Sequence, residues 1–316
     1  MGHRESGLAR AGQFGDIRGM RPAPDILCIG SVLWDIIGRA PVEMRAGMDV
    51  PGRITRLPGG VAANIAMTLA RIGLRPAVLT AIGRDAEGED LIAASEARGM
   101  ITAYAHRPEG LPTDRYMAVE GVNGLIAAVA DAHTLEACGA AILAPLADGR
   151  LGSAGAPWAG PVAVDGNLTV ALLAEIAGSP LFAKADLRLA PASPGKAERL
   201  RVMLGHPGAT FYLNREEAGK IAGVAVRTAA EGAEAVLALG AARVLVTDGA
   251  GACADGAASG VIVAVPPPVD VRRVTGAGDT FMAAHLVAER AGAGRRAALE
   301  RALAAAAEYI CKEVGT

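Results

Sequence analysis

Short apolar runs alternate along this chain with longer amphipathic stretches. Residues 25–30, Asp-Ile-Leu-Cys-Ile-Gly, read as a buried strand closed by a glycine, with Asp35 just past its end. Residues 77–82 form a second strand, and 161–165, 209–214 and 243–247 three more. The last three end on Asp165, Asn214 and Thr247, and each leads into a helix-like segment. That repeat of strand and helix predicts a mostly parallel sheet. Residues 60–73 read as a glycine turn feeding a helix, with Ile65, Leu69 and Ile72 on its inner face. Between residues 40 and 57 the periodicity fades and Pro41, Gly47, Pro51 and Gly52 interrupt it, as in an exposed flap. Residues 116–119 and 125–129 flank Asn123-Gly124, a strong hairpin signal. The expected organisation is one α/β domain over residues 25–316, carrying a small β lid from approximately 38–57 and 101–130. Residues 1–24 have no apolar stretch and read as a mobile leader, neither a secretory signal nor a membrane span.

Composition narrows the picture. Hydrophobic residues make up 52% of the chain but aromatics only 3%, so Ala, Val, Leu and Ile must fill the core. A net charge of -2, without a dense Lys/Arg run interleaved with aromatics, argues against a nucleic-acid polymer as partner and leaves a small molecule. Cys28, Cys138, Cys253 and Cys311 are scattered with no C-x-x-C pair, which excludes a zinc knuckle or disulfide framework and suggests a cytoplasmic protein. The histidines show no metal-binding spacing.

In open parallel sheets, ligands bind beyond the carboxyl ends of the strands, where Asp35, Asp165, Asn214, Thr247 and Asp248 are expected. The most informative string is Val274-Thr-Gly-Ala-Gly-Asp-Thr-Phe281, followed by an apolar helix-like run. Gly276, Ala277 and Gly278 leave backbone N–H groups open to an anion at a helix N-terminus. A carboxylate beside them, Asp279, suits the proton that an attacking hydroxyl must lose during phosphoryl transfer. The competing reading is structural, because an acidic residue in a first helical turn stabilises by ~0.3–1 kcal/mol. A second string, Gly59-Gly60-Val-Ala-Ala-Asn64, would let a sugar ring lie against backbone while Asn64 meets vicinal hydroxyls and Asp35 accepts from another pair. Asn64 and Asp35 serve equally well as a helix-turn residue and a loop cap. Asn214-Arg-Glu-Glu217 likewise reads as an ordinary N-cap with acidic residues in the first turn. No G-x-x-x-x-G-K-[ST], no D-F-G with H-R-D and no early G-x-G-x-x-G is present, so Walker-type ATPases, protein kinases and dinucleotide dehydrogenases lose support.

The G-A-G-D string and the Gly59-Gly60…Asn64 string, with Gly73 and Gly83 in register, resemble the two signatures of the ribokinase-like (PfkB) carbohydrate and nucleoside kinases. The resemblance implies a three-layer α/β/α sandwich with a mostly parallel central sheet and a small β lid. It implies Asp279 as catalytic base, Gly276, Ala277 and Gly278 as the phosphoryl cradle, and Asp35, Gly59, Gly60 and Asn64 as the acceptor site. ATP would meet Asn214, Thr247, Gly249, Gly251 and Thr275, and Mg²⁺ would meet Glu217 through water. A monovalent cation stays open, because Arg273 stands where Asp or Asn is usual. Val274, the 113–131 block and Ala190-Pro-Ala-Ser193-Pro-Gly-Lys196 are similar to the pseudouridine kinase branch. The expected reaction is ATP-dependent phosphorylation of the hydroxymethyl group of a nucleoside or sugar, with pseudouridine as acceptor. A ribokinase-like sugar or adenosine kinase and a non-catalytic ligand sensor on the same fold are the alternatives. The resemblance also implies a homodimer formed through the lid, whose small sheet needs covering.

Overall fold

The computed structural model describes residues 23–272 and 276–312. Its large sheet contains β1 (Ile26–Ile29), β4 (Pro76–Leu79), β7 (Pro161–Asp165), β8 (Asp186–Ala190), β9 (Ala209–Asn214), β10 (Arg243–Thr247), β11 (Cys253–Ala257) and β12 (Gly260–Ala264). A smaller sheet contains β2 (Leu33–Arg39), β3 (Arg53–Gly59), β5 (Arg115–Gly121) and β6 (Gly124–Asp131). The helices are α1 (Val61–Arg71), α2 (Ala86–Glu96), α3 (His133–Cys138), α4 (Ala144–Ala147), α5 (Val170–Gly178), α6 (Arg215–Ala222), α7 (Ala229–Ala238), α8 (Ala277–Arg290) and α9 (Arg295–Cys311).

The large sheet runs β12-β11-β10-β9-β8-β7-β1-β4, parallel from β10 to β4, with β11 and β12 antiparallel at one edge. Its strands are apolar on both faces because each face is covered. Leu27 and Ile29 of β1 join one core with Leu172, Leu187, Phe211 and Val244, whereas Ile26 and Cys28 join the other with Ile65, Leu69, Phe281 and Leu286. Two helical layers therefore sandwich the sheet, and α1, α8 and α9 share one side.

Four local expectations need correction. Asp35 lies inside β2 of the small sheet, because the chain leaves β1, turns and re-enters pairing at Leu33. Ile72 is 46% exposed, since α1 ends at Arg71 and Ile72 is its C-cap. No helix follows β10; a turn over residues 248–251 returns the chain as antiparallel β11. Ile101 and His106, read with the lid, bridge to Ala77 and Ala81 beside the large sheet. The hairpin around Asn123-Gly124 does form, as β5 and β6.

Candidate active site

Asp279 is the third residue of α8, in the turn where helical N–H groups lack intrahelical partners. Gly276 precedes the helix at φ 86°, a backbone region that a side chain disfavours. Its carbonyl accepts from Thr280 N at 3.0 Å and Thr280 Oγ1 at 2.8 Å. Among the described residues no side chain caps the helix, and Ala277 and Gly278 both line a cavity. The first-turn N–H groups and the positive end of a 14-residue helix thus lie beside a carboxylate. Burial pushes the Asp279 pKa up to about 7, with Asp165 and Glu217 adding repulsion and a hydrogen bond from Asn64 opposing the shift. A carboxylate so placed exchanges its proton near neutrality. Thr275, together with Arg273 and Val274, lies outside the described residues.

The other proposed contacts gather around α1. Gly60 is its N-cap and Asn64 stands in its first turn, facing Asp279. Gly59 ends β3, and any Cβ there would overlap the Asp35 carboxylate, so the glycine makes the space that Asp35 occupies. Asp35 pairs across the small sheet with Leu57 and Tyr116, which places these three residues on one face. Burial raises the Asp35 pKa to about 6. Asp35, Gly59, Gly60 and Asn64 therefore meet where the small sheet joins the helix.

Beyond β7 lies a polar hub only partly visible in the sequence. Asp165 is fully buried; its Oδ2 accepts from Ser31 N at 2.8 Å and from Ser31 Oγ, and its Oδ1 accepts from Asn167 N at 2.8 Å. Burial raises its pKa, against the pull of these hydrogen bonds. Ser31 Oγ also accepts from Val61 N at 3.1 Å and Asn167 Nδ2 at 3.1 Å, tying α1 to β7. Asn167 Oδ1 accepts in turn from Lys196 Nζ at 2.6 Å. Asp165 was legible as a strand-end carboxylate and Lys196 as part of the 190–196 string, but Ser31 and Asn167 were not, because nothing local shows that the four converge.

Asn214 and Glu217 form a reciprocal capping box: Asn214 Oδ1 accepts from Glu217 N at 2.9 Å and Glu217 Oε2 from Asn214 N at 2.7 Å. The N-cap reading is thus correct as geometry. Glu217 is also buried, which lifts its pKa to about 7. Thr247 and Gly249 line a cavity of about 540 Å³ with Ala277, Gly278 and Phe281. Residues 265–269, Leu303 and Ile310 give it an apolar wall that the sequence did not reveal. Gly251 closes the turn by donating to Asp248 O at 2.7 Å, and it is not among the lining residues. An apolar slot that opens onto the first turn of a helix fits the base and phosphates of a nucleotide. Among the described residues, no three His, Cys, Asp or Glu side chains are grouped to hold a metal ion.

Residues 23–316 match the family described as pfkB family carbohydrate kinase. Among curated proteins, the chain is 29% identical over 126 residues to pseudouridine kinase of Escherichia coli (strain K12), covering 40% of each. It is 32% identical over 109 residues to the uncharacterized sugar kinase YeiI of the same organism, covering 34% of this chain and 30% of that one. The matched segments thus span less than half of these relatives. Among solved structures, a carbohydrate kinase from Agrobacterium tumefaciens superposes at TM-score 0.74 with 26% identity over 90% of each chain. Arabidopsis thaliana ribokinase, complexed with ribose and ATP, superposes at 0.71 with 20% identity over 92% of this chain and 94% of its own. With both signatures on one carboxyl edge and the family match running through nearly all of it, the chain belongs to the pfkB family of carbohydrate kinases.

Proposed function

We propose that the protein transfers the terminal phosphoryl group of ATP to the hydroxymethyl oxygen of a nucleoside, with pseudouridine as acceptor. The observation that carries the transfer is Asp279, placed beside first-turn N–H groups and held at a pKa of about 7. Asp35, Gly59, Gly60 and Asn64 hold the acceptor, and Asp279 takes its hydroxyl proton. The amides of Ala277 and Gly278 stabilise the charge on the moving phosphoryl oxygens. Thr247, Gly249 and the apolar wall seat the nucleotide, and Asn214 and Gly251 shape its border. Mg²⁺, bound with the donor, supplies charge neutralisation.

The acceptor assignment rests on the resemblance in the 113–131 and 190–196 segments and on the partial match to pseudouridine kinase. Its test is ADP release from MgATP with pseudouridine, uridine, adenosine and ribose. Preferential turnover of pseudouridine supports it. Turnover of ribose or adenosine without pseudouridine replaces the acceptor, and ligand-stabilised melting with no ADP from any of the four favours a sensor.

The working form is proposed to be a cytoplasmic homodimer joined through the small sheet. All four cysteines are free, as suits a reducing compartment, and no helix among the described residues is long and apolar enough to cross a membrane.

A further inference from the structure

Lys196 is a half-buried cation whose one polar partner among the described residues is Asn167. Its ammonium donates to the neutral Asn167 carbonyl at 2.6 Å, and among the described residues no carboxylate lies within ion-pair distance of it. The interior arginines behave differently: Arg188 is paired with Asp186 and Glu289, and Arg243 with Asp255 and Glu289. An ammonium has three donors, so the amide satisfies one and leaves two.

The position of Lys196 follows from the strand order. β8 lies between β7 and β9, and Lys196 stands six residues past the end of β8. Asp279 is close enough to both Asp165, at the end of β7, and Glu217, just past β9, to feel their charges. The loop after β8 therefore emerges between the two groups that flank Asp279. Asn167 draws the lysine toward Asp165, and Asn167 is itself fixed by its bonds to Ser31 and Asp165. Three carboxyl groups converge here, yet the lysine pairs with none of them. An anion arriving with a ligand would complete its coordination.

We propose that Lys196 is a catalytic residue that binds the transferring phosphoryl group. The bond from the terminal phosphorus to the leaving diphosphate oxygen breaks while one to the acceptor oxygen forms. The acceptor proton passes to Asp279, and Lys196 keeps its own protons while neutralising charge on the non-bridging oxygens. The proposal rests on the kinase reading of the site but not on the identity of the acceptor.

The test is calorimetric titration of the full chain with Mg²⁺ and either β,γ-imido-ATP or ADP, together with turnover. Lys196→Gln should weaken β,γ-imido-ATP at least ~10-fold and leave ADP within about 2-fold, because only the former carries the terminal phosphate. Turnover should fall at least ~100-fold, the scale of losing one donor to a developing charge, with Lys196→Arg restoring part of it. Should the Gln variant fail to fold, Lys196→Met supplies the same neutral stem. Equal weakening of the two nucleotides, or of neither, would reduce Lys196 to a tether between loops and overturn the proposal. A raised acceptor KM with unchanged β,γ-imido-ATP affinity would place the ammonium on the acceptor and overturn it too. Retained discrimination by wild type, lost in the variant, stands even if no nucleoside in the panel is phosphorylated.

Discussion

Three carboxyl groups in this site have different environments and therefore different uses. Burial raises all three, but Asp165 is held by Ser31 and Asn167 as a structural hub, whereas Asp279 and Asp35 carry fewer hydrogen bonds from the protein. The Asp35 pocket depends on a missing side chain. Gly59→Ala would push a methyl group into the Asp35 carboxylate, so acceptor KM should rise at least ~10-fold while the KM for ATP stays within about 2-fold. Initial-rate kinetics with each substrate varied would check this; an unchanged acceptor KM would remove Asp35 from the acceptor site. At this scale much was legible, since Asp279, Asn64, Gly59 and Gly60 carry their chemistry in local strings. Asn167 was not, and Lys196 was legible only within the 190–196 string, because their pairing is a contact across 29 positions of chain.

Helix α8 presents Asp279 at one end and is anchored at the other. Glu289 in its last turn accepts from Arg188 Nη1 at 2.5 Å and from Arg243, while Arg188 also donates to Tyr212 Oη at 2.8 Å. Tyr212 Oη meets His285 Nδ1 at 2.8 Å, and burial pushes the His285 pKa down to about 4, so the ring is neutral at working pH. Glu289→Gln would leave Arg188 and Arg243 with one carboxylate partner each, Asp186 and Asp255, and should cost about 1.5–3 kcal/mol in urea unfolding. A loss below about 1 kcal/mol would show that this network does not hold the helix. The same network explains a strand that pattern reading missed. β8, Asp-Leu-Arg-Leu-Ala, places an arginine on a buried face, and the groups that make this tolerable come from β9, α8 and its own Asp186. β11 and β12 escaped notice for another reason: the small residues of β11 bear no strong pattern, and only pairing with β10 makes them an edge.

Across the whole molecule, the parallel sheet brings the ends of β1, β7, β8, β9 and β10 to one edge, and the small sheet rises beside it from the β1 side. Pairing register puts Ile54, Met117 and Val129 on the face of the small sheet opposite Asp35, at 78%, 51% and 62% exposure. Such an apolar patch on a thin sheet favours a second copy as cover. Light scattering should give the mass of a dimer, and Met117→Asp should shift it to monomer; a monomeric wild type would refute the lid interface. The central claim, that Asp279 accepts the acceptor proton, is tested most directly by the turnover of Asp279→Asn against the pH profile of wild type. Folding raises this carboxyl from the ordinary range to about 7, so its ionisation costs stability as pH rises from that range through 7, and the Asn variant should melt higher than wild type at pH 8. In that folded variant turnover should fall at least ~100-fold, while wild-type turnover climbs with pH through about 7 as the base loses its proton. A folded Asp279→Asn protein that phosphorylates its acceptor at near wild-type rate would contradict the account.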